Sequence, residues 1–207
     1  MTHPTTDIPI IILAAGQSSR MRGIDKLMQI VSGVPLIRRQ VDMALSVTTG
    51  PVIVALPVFP HPRQQALQGT DAVLIEVPDA QEGMNASLRA AMRFVPGTAR
   101  AAMVLLGDLP ELTKEDLNKV SHSFESKKDF LIWRGATADG KPGHPVIFSA
   151  QLFDQIARLK GDSGGREVVQ AAAGRIALVP LVGNRARLDL DTPEDWAEWR
   201  TRTKPDD

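Results

Sequence analysis

The sequence predicts an α/β protein with a doubly wound, mainly parallel sheet and helices on both of its faces. Two observations support this fold class. Short apolar segments rich in β-branched residues recur along the chain, which is typical of strands that are buried on both faces. Segments with helical spacing lie between them, and this alternation favours βαβ units, in which a helix connects two parallel strands.

The first half of the chain alternates regularly between the two kinds of segment. Residues 8–14, which contain "IPIII", are almost continuously apolar and predict a central strand. Residues 35–46 predict a helix, because their apolar side chains fall near helical spacing and Pro35 is tolerated in a first turn. Further strands are predicted at 51–57, 72–78 and 101–108, with a short helix between the first two and a helix over 84–94.

The second half continues the pattern. Strands are predicted at 130–135, 144–148 and 175–181, and helices at 151–159 and 165–173. No internal repeat or linker interrupts the chain, so we expect one domain over residues 1–207. Because ligands of such folds bind at the carboxyl ends of the strands, the loops after Ala14, Val77 and Leu106 are expected to meet at one edge of the sheet.

Composition excludes several classes of function. Lys and Arg together number 24, as do Asp and Glu, so the formal net charge is zero and the basic excess of a general nucleic-acid binder is absent. The chain has no cysteine, which excludes disulfides and thiolate chemistry. Neither a signal-peptide pattern nor a stretch of roughly 18 apolar residues occurs, so we expect a soluble cytoplasmic protein without a membrane partner.

The segment "LAAGQSSRMRGIDK", residues 13–26, combines flexible backbone with positive charge after the first strand. Gly16 would let backbone N–H groups face an anion, and Arg20, Arg22 and Lys26 add formal charge beside them. No glycine directly precedes the lysine and no G-x-G-x-x-G occurs, so neither standard phosphate-loop motif is present. The residues fit an anion-binding loop, and their spacing alone does not decide between this and a second interpretation. A solvated loop whose charges bind nothing is the alternative.

Asp108, in "GDLP", follows the fourth predicted strand and should lie at the same edge of the sheet. A carboxylate there can hold Mg²⁺, which takes oxygen ligands and bridges substrate phosphates. The structural alternative is that Asp108 caps the turn formed by Gly107 and Pro110.

The motifs also resemble those of a known enzyme family. Residues 13–26 are similar to the signature L-A-[AG]-G-x-S-x-R-M-G-x-x-K, and "GVPLIRRQVDMAL", "EGMNASLRAAM", "LLGDLP", "GHPVIF", "GDSGGREVV" and "DLDTPEDW" follow in the family's order. This set resembles nucleotidyltransferases, and most of all the molybdenum cofactor cytidylyltransferases and their guanylyltransferase relatives. The resemblance implies a Rossmann-like fold and Mg²⁺ as cofactor.

The resemblance also implies roles for individual residues. Arg20 and Lys26 would stabilise the charge that builds up as the α-phosphate is attacked. Nucleotide contacts are implied for Leu13, Ala14, Ala15, Gly16, Ser18, Gly83, Asn85 and Ser87. Acceptor contacts are implied for His144, Asp162 and Arg166. Judged by residue type alone, Asn85 and Ser87 are equally suited to capping a helix, and a lone histidine is more often structural.

The segment "DLDTPEDW" combines a helix start with two candidate metal ligands. Thr192, Pro193 and Asp195 predict an ordinary helix start, with Thr192 as the N-cap. The resemblance implies that one of the two preceding carboxylates, Asp189 or Asp191, completes the metal site with Asp108, and we favour Asp191.

The reaction implied is transfer of CMP from CTP to the phosphate of the molybdenum pterin cofactor, with release of pyrophosphate. The implied partners are therefore a nucleoside triphosphate, the phosphorylated acceptor, and a molybdoenzyme or its maturation chaperone. Alternatives are guanylyl transfer to the same cofactor and transfer to a sugar or alditol phosphate. Ala15 favours CTP, because the guanylyl relatives tend to have glycine there. Arg22 departs from the family, which often has glycine at its position.

Two further hypotheses come from other classes. "GDSGG", residues 161–165, fits the G-x-S-x-G motif of serine hydrolases, yet no histidine follows His144 as the α/β-hydrolase order requires. His61, Asp108 and Ser163 could supply a chymotrypsin-like triad only in an all-β fold, which the alternating pattern disfavours. The second hypothesis is a nucleotide-binding module without turnover, which the presence of all four implied catalytic and metal residues disfavours.

Overall fold

The computed structural model describes residues 6–203, and over this range nine strands and seven α-helices follow one another. The strands are β1 (Ile10–Leu13), β2 (Ile30–Val31), β3 (Val34–Pro35), β4 (Val52–Leu56), β5 (Val73–Glu76), β6 (Ala101–Leu106), β7 (Ile132–Ala136), β8 (Pro142–Ser149) and β9 (Ile176–Pro180). The helices are α1 (Leu36–Val47), α2 (Pro62–Ala66), α3 (Met84–Met92), α4 (Lys114–Ser126), α5 (Phe153–Ala157), α6 (Arg166–Ala171) and α7 (Pro193–Thr203).

Seven of the strands form one sheet in the order β5-β4-β1-β6-β8-β7-β9. β1 pairs in parallel with β4 and β6, β4 pairs in parallel with β5, and β7 pairs in parallel with β9. Within this seven-stranded sheet, only β8 is antiparallel to its neighbours, β6 and β7. The predicted fold class, a mainly parallel sheet flanked by helices, is confirmed.

The central strand is buried on both faces, as its uninterrupted apolar sequence indicates. Ile10 and Ile12 belong to one core, which also contains residues of α1, α4 and α7, whereas Ile11 belongs to a second core with residues of α3, α5 and α6. All three isoleucines are fully buried. Helices therefore cover both sides of the sheet, and its carboxyl edge is left to the loops.

Every strand and helix named from the sequence is present to within a few residues, but two elements were not predicted. One is the hairpin of β2 and β3, two residues per strand. The other is α4, which begins with a reciprocal capping box between Thr113 and Asp116. That T-x-x-D pattern is a helix-start signal, so the sequence did contain the information for α4.

The topology brings the predicted loops to one edge. β1, β5 and β6 run in the same direction, so the segments that follow them lie together, and the start of the antiparallel β8 lies at that edge too. Within residues 6–203, none of the helices combines the length and apolar character that crossing a membrane requires.

Candidate active site

Two adjoining cavities open at the carboxyl edge of the sheet. The first, the loop cavity, has a volume of about 530 Å³ and lies between the segment after β1 and the segments after β4 and β5. The second, the central cavity, measures about 300 Å³ and is lined by Lys26, Ser87 and Asp108 among others. Both are bordered by Ala15 and Gly16, so they form one continuous cleft along residues 13–26.

The sequence assigns the flexible backbone of the loop over residues 14–25 to Gly16, but the loop turns at other positions. Gly23 has a φ of 87°, and the non-glycine residues Ser18 and Arg22 have φ values of 53° and 52°. These are left-handed conformations, which side chains other than glycine rarely adopt. Gly16 does not share them, and a Cβ there would meet no protein atom. Its position beside both cavities suggests that glycine at 16 keeps cleft space open.

Arg63, in α2, holds this loop in place and was not singled out from the sequence. Its Nη1 donates to the carbonyls of Ala14 and Gly16 at 2.6 and 2.8 Å, and its Nη2 donates to Ser18 Oγ at 3.1 Å. Nε and Nη2 also bind both carboxylate oxygens of Asp25, at 2.7 and 2.8 Å. The residue is 2% exposed and all five N–H groups of its guanidinium are used.

The predicted catalytic and metal residues meet in a single ion-pair cluster. Lys26 Nζ lies 2.5 Å from Asp108 Oδ2 and 2.7 Å from Asp191 Oδ1. Arg20 forms an ion pair with the other oxygen of Asp191. Burial alone would lower the pKa of Lys26, but the two carboxylates outweigh it and the pKa is raised, so the ammonium keeps its charge.

The donor set of this cluster fits a divalent cation. Asp108 Oδ1 is buried without a hydrogen-bond partner among the described residues, so it does not cap the turn after β6. Within residues 6–203, no three His, Cys, Asp or Glu side chains are arranged to hold a metal by themselves. Two carboxylates completed by water and substrate phosphates match the usual coordination of Mg²⁺.

Asp191, rather than Asp189, is paired with Lys26 and Arg20. Its position is set by the start of α7, where Asp195 accepts hydrogen bonds from the backbone N–H groups of Asp191 and Thr192. Burial, followed by the charges of Asp191 and Asp108, raises the pKa of Asp189. The geometry therefore places Asp191 in the ion-pair cluster and Asp195 in the helix start, where the sequence predicts it.

The helix α3 contributes differently from what was expected of it. Ser87 and Gly83 line the central cavity, whereas Asn85 is fully buried and absent from its walls. The Asn85 amide donates to Lys160 O at 2.7 Å and Ser163 Oγ at 2.9 Å, and its carbonyl accepts from Gly165 N at 2.9 Å. Asn85 thus fixes the loop over 160–165. The N-cap of α3 is Gly83, so neither Asn85 nor Ser87 caps the helix.

The three residues expected on the acceptor side are divided between two cavities. Asp162 lines the central cavity, and its Oδ1 accepts from Met84 N at 2.6 Å at the start of α3. His144 and Arg166 line a third cavity, next to the central one. Burial lowers the pKa of His144 to about 4, so the imidazole is neutral at pH 7.

Two alternatives from the sequence are resolved by geometry. Arg22 forms an exposed ion pair with Glu194 at 2.7 Å, so it connects the loop to α7 and lines neither cavity of the cleft. The hypothetical triad is not assembled. Asp108 is paired with Lys26, Ser163 Oγ accepts from Asn85, and His61 Nδ1 accepts from Arg63 N at 3.2 Å.

A comparison with models of known protein families shows the family to which the chain belongs. A family model described as "MobA-like NTP transferase domain" matches residues 10–176, which include β1 to β8 and the loops of the cleft. The chain belongs to this family. As a MobA-like NTP transferase domain, it is a nucleotidyltransferase by family, and the nucleotide and the acceptor are not specified by that membership.

Similar proteins agree with this assignment. The crystal structure of Rv0371c from Mycobacterium tuberculosis H37Rv is 29% identical, with a TM-score of 0.77, and the alignment covers 94% of this chain and 98% of that one. The purine catabolism protein PucB of Bacillus subtilis is 26% identical over 90% of this chain and 92% of its own length. The bifunctional protein GlmU of Sorangium cellulosum is 28% identical over 78% of this chain, which spans only 35% of GlmU.

Proposed function

We propose that this MobA-like NTP transferase domain transfers CMP from CTP to the phosphate of the molybdenum pterin cofactor and releases pyrophosphate. The observation that carries the proposal is the position of Lys26 between Asp108 and Asp191, at the central cavity and beside the loop held by Arg63. The motif resemblance supplies the acceptor and family membership supplies the reaction class.

In this reaction an oxygen of the acceptor phosphate forms a bond to the α-phosphorus, and the bond to the oxygen that bridges the α- and β-phosphates breaks. The electron pair leaves with pyrophosphate. The attacking phosphate is already an anion, so no general base is needed, and the His144 imidazole, with its pKa lowered to about 4, would be only a weak base. Catalysis then depends on positioning and on preorganised positive charge, for which Arg20 and Lys26 are suited.

A divalent cation is part of the proposal. Asp108 and Asp191 would hold it, because Asp108 Oδ1 has no other partner among the described residues and both carboxylates border the same cluster. When bound, Mg²⁺ would offset the negative charge of the phosphates during transfer. A crystal structure of Rv0371c in complex with manganese, 27% identical to this chain, supports a divalent ion at such a domain.

The proposed nucleotide contacts are the residues along the cleft. Leu13, Ala14, Ala15, Gly16, Gly83 and Ser87 line the central cavity, and Ser18 lines the loop cavity. Ala15 favours CTP over GTP, because the guanylyl relatives that the motifs resemble tend to have glycine there, although one methyl group in a pocket changes discrimination by only about 1–3 kcal/mol. For Asn85 we propose a positioning role, since its amide is used by the loop over 160–165.

The test is pyrophosphate release measured with each of the four nucleoside triphosphates and Mg²⁺, against molybdenum-bound pterin, metal-free pterin and a sugar phosphate. We expect the fastest release with CTP and the molybdenum-bound pterin. Faster release with GTP would support guanylyl transfer, and faster release with the sugar phosphate would overturn the acceptor.

The same measurement distinguishes an enzyme from a binding module. If no combination released pyrophosphate while CTP still raised the melting temperature, the domain would bind nucleotide without turnover. If pyrophosphate is released, the proposed protein partner, a molybdoenzyme or its maturation chaperone, should be sought by co-purification with the product-loaded protein.

A further inference from the structure

A third cavity, of about 260 Å³, lies next to the central cavity and shares Leu13 and Met84 with it. We call it the arginine cavity, because Arg134 and Arg166 both line it. Its remaining walls are largely apolar and include Leu88, Val104, Val146, Phe148 and Val169. An apolar chamber with two guanidinium groups therefore adjoins the place where the phosphates are proposed to react.

Arg134 reaches this cavity because of its place in β7. Side chains two residues apart in a strand share a face, and Ile132 on that face is fully buried in the second core. Arg134, in the middle of β7, therefore takes a position where the pattern would otherwise supply another core residue. Its Nε donates to Gly143 O at 2.8 Å, which fixes the guanidinium plane.

The backbone around Arg134 is closely packed against its neighbours. A Cβ at Gly135 would collide with the carbonyl of His144, and one at Gly143 would collide with the carbonyl of Ala186. The pairing of β7 with β8 also shifts register between Arg134 and Ala136. Glycines and a bulge at this point hold Arg134 beside His144 at the cavity.

Neither arginine of the cavity has an acidic partner in the part of the chain that the structure describes. Within residues 6–203, no carboxylate forms an ion pair with Arg134 or Arg166, although Arg20, Arg22 and Arg63 are each paired. Burial, and next the nearby charge of Arg187, lowers the pKa of Arg134. Burying part of a guanidinium group without a counter-ion costs free energy on folding, and an anionic ligand would offset that cost.

We propose that the acceptor carries a second negatively charged group on an apolar body, and that Arg134 together with Arg166 binds this group in the arginine cavity. Arg134 is thus a specificity-determining residue for the acceptor. The inference rests on the proposed function, since it takes the central cavity as the place of the reacting phosphate. It excludes acceptors whose only charge is that phosphate, such as simple sugar phosphates, from efficient use.

A binding comparison tests the charge preference without turnover. We would measure the affinity of 2-naphthoate and of its neutral analogue 2-naphthamide by ligand-observed NMR. Wild type should bind the carboxylate about tenfold or more tightly, as expected for a charge-assisted hydrogen bond. The preference should be lost in Arg134→Met, reduced in Arg166→Met and kept in Arg134→Lys. Arg93→Met, an exposed arginine of α3's C-cap outside these cavities, is the matched control and should keep it.

Equal affinity for the two probes in wild type, no binding of either, or a preference that survives in Arg134→Met would overturn the proposal. Because Arg166 is exposed, Arg166→Met keeps the test valid even if Arg134→Met fails to fold. When the assay uses an acceptor that wild type turns over, Arg134→Met should raise the KM for that acceptor about tenfold and leave the KM for CTP unchanged. If wild type turned over no pterin, the proposed acceptor would be wrong, and the naphthoate comparison would still decide the role of Arg134.

Discussion

At the scale of single residues, the site is a balanced set of charges. Arg20 and Lys26 supply two positive charges, and Asp108 and Asp191 supply two negative ones within the same ion-pair cluster. The Lys26 ammonium therefore shares the carboxylates with any divalent cation that binds there. Nucleotide phosphates would give the lysine a new partner and leave the carboxylates to the cation.

Replacing Lys26 tests this exchange. Lys26→Met should lower pyrophosphate release by about 10²–10³, the usual loss when one group that stabilises transition-state charge is removed. Without nucleotide, the same variant should bind Mn²⁺ more tightly than wild type in an EPR titration, because the ammonium no longer competes for Asp108 and Asp191. Lys114→Met, which removes an exposed lysine of α4, is the control. Wild-type turnover by Lys26→Met would show that Lys26 is not catalytic.

At the scale of elements, the loop over residues 14–25 is shaped from outside itself. Two of its non-glycine residues have left-handed backbone conformations, and Arg63 of α2 binds the loop through carbonyls, a hydroxyl and a carboxylate. The loop is therefore preorganised by a helix that lies about forty residues later in the sequence.

Arg63→Lys tests the preorganisation, because a lysine cannot reproduce five N–H donors in one plane. We expect a loss of about 1–3 kcal/mol in the free energy of unfolding, measured with urea, since lysine leaves some of the carbonyl and hydroxyl acceptors of the loop without a donor. CTP affinity, measured calorimetrically with Mg²⁺, should fall as well. Leu67→Ala is the matched control, because Leu67 is a buried core residue at the end of α2 that makes none of the Arg63 side-chain hydrogen bonds. An equal loss of CTP affinity in both variants would contradict the role of Arg63.

The sequence predicts a contact when both residues lie in elements that can be recognised from the pattern of apolar residues. It does not predict contacts that are fixed only by tertiary packing. Lys26 and Asp108 were predicted to meet because β1 and β6 are uniformly apolar and end at the same edge, and in the sheet they are direct neighbours. Arg63 could not be found this way, since it lies in a short polar helix and its partners are fixed only by tertiary packing. Arg134 left a weak signal, as the one charged residue in the apolar segment "FLIWRG". The nucleotide contact of Asn85 was implied by the family resemblance, and the motif does not show that this side chain is buried against the loop over 160–165.

At the scale of the whole molecule, strand order arranges the cavities. The loop cavity lies over β5, β4 and β1, the central cavity over β1 and β6, and the arginine cavity over β6, β8 and β7. This sequence of cavities supports a layout in which nucleotide enters from one end of the sheet edge and acceptor from the other. Transfer would then take place at Lys26, between them.

His144, which lies at the same edge of the sheet, makes the free energy of unfolding of the whole molecule depend on pH. Burial lowers the pKa of this imidazole from its usual 6.5 to about 4. Between these values the unfolded chain takes up a proton that the folded chain does not, so stability falls as pH decreases from 6.5 to 4. The shift corresponds to at most about 3 kcal/mol. Above pH 6.5 the imidazole is neutral in both states and contributes no pH dependence.

His144→Gln should remove this component. We expect the wild-type free energy of unfolding, measured with urea at several pH values, to fall more steeply between pH 6.5 and 4 than that of the variant. The difference between the two pH dependences reports the titration of His144 alone, because the carboxylates that also titrate in acid are common to both proteins. His122→Gln, at an exposed position of α4, is the control and should follow wild type. Parallel curves for wild type and His144→Gln would mean that the imidazole is not held neutral by the fold, and acid–base catalysis by His144 would again be open to test.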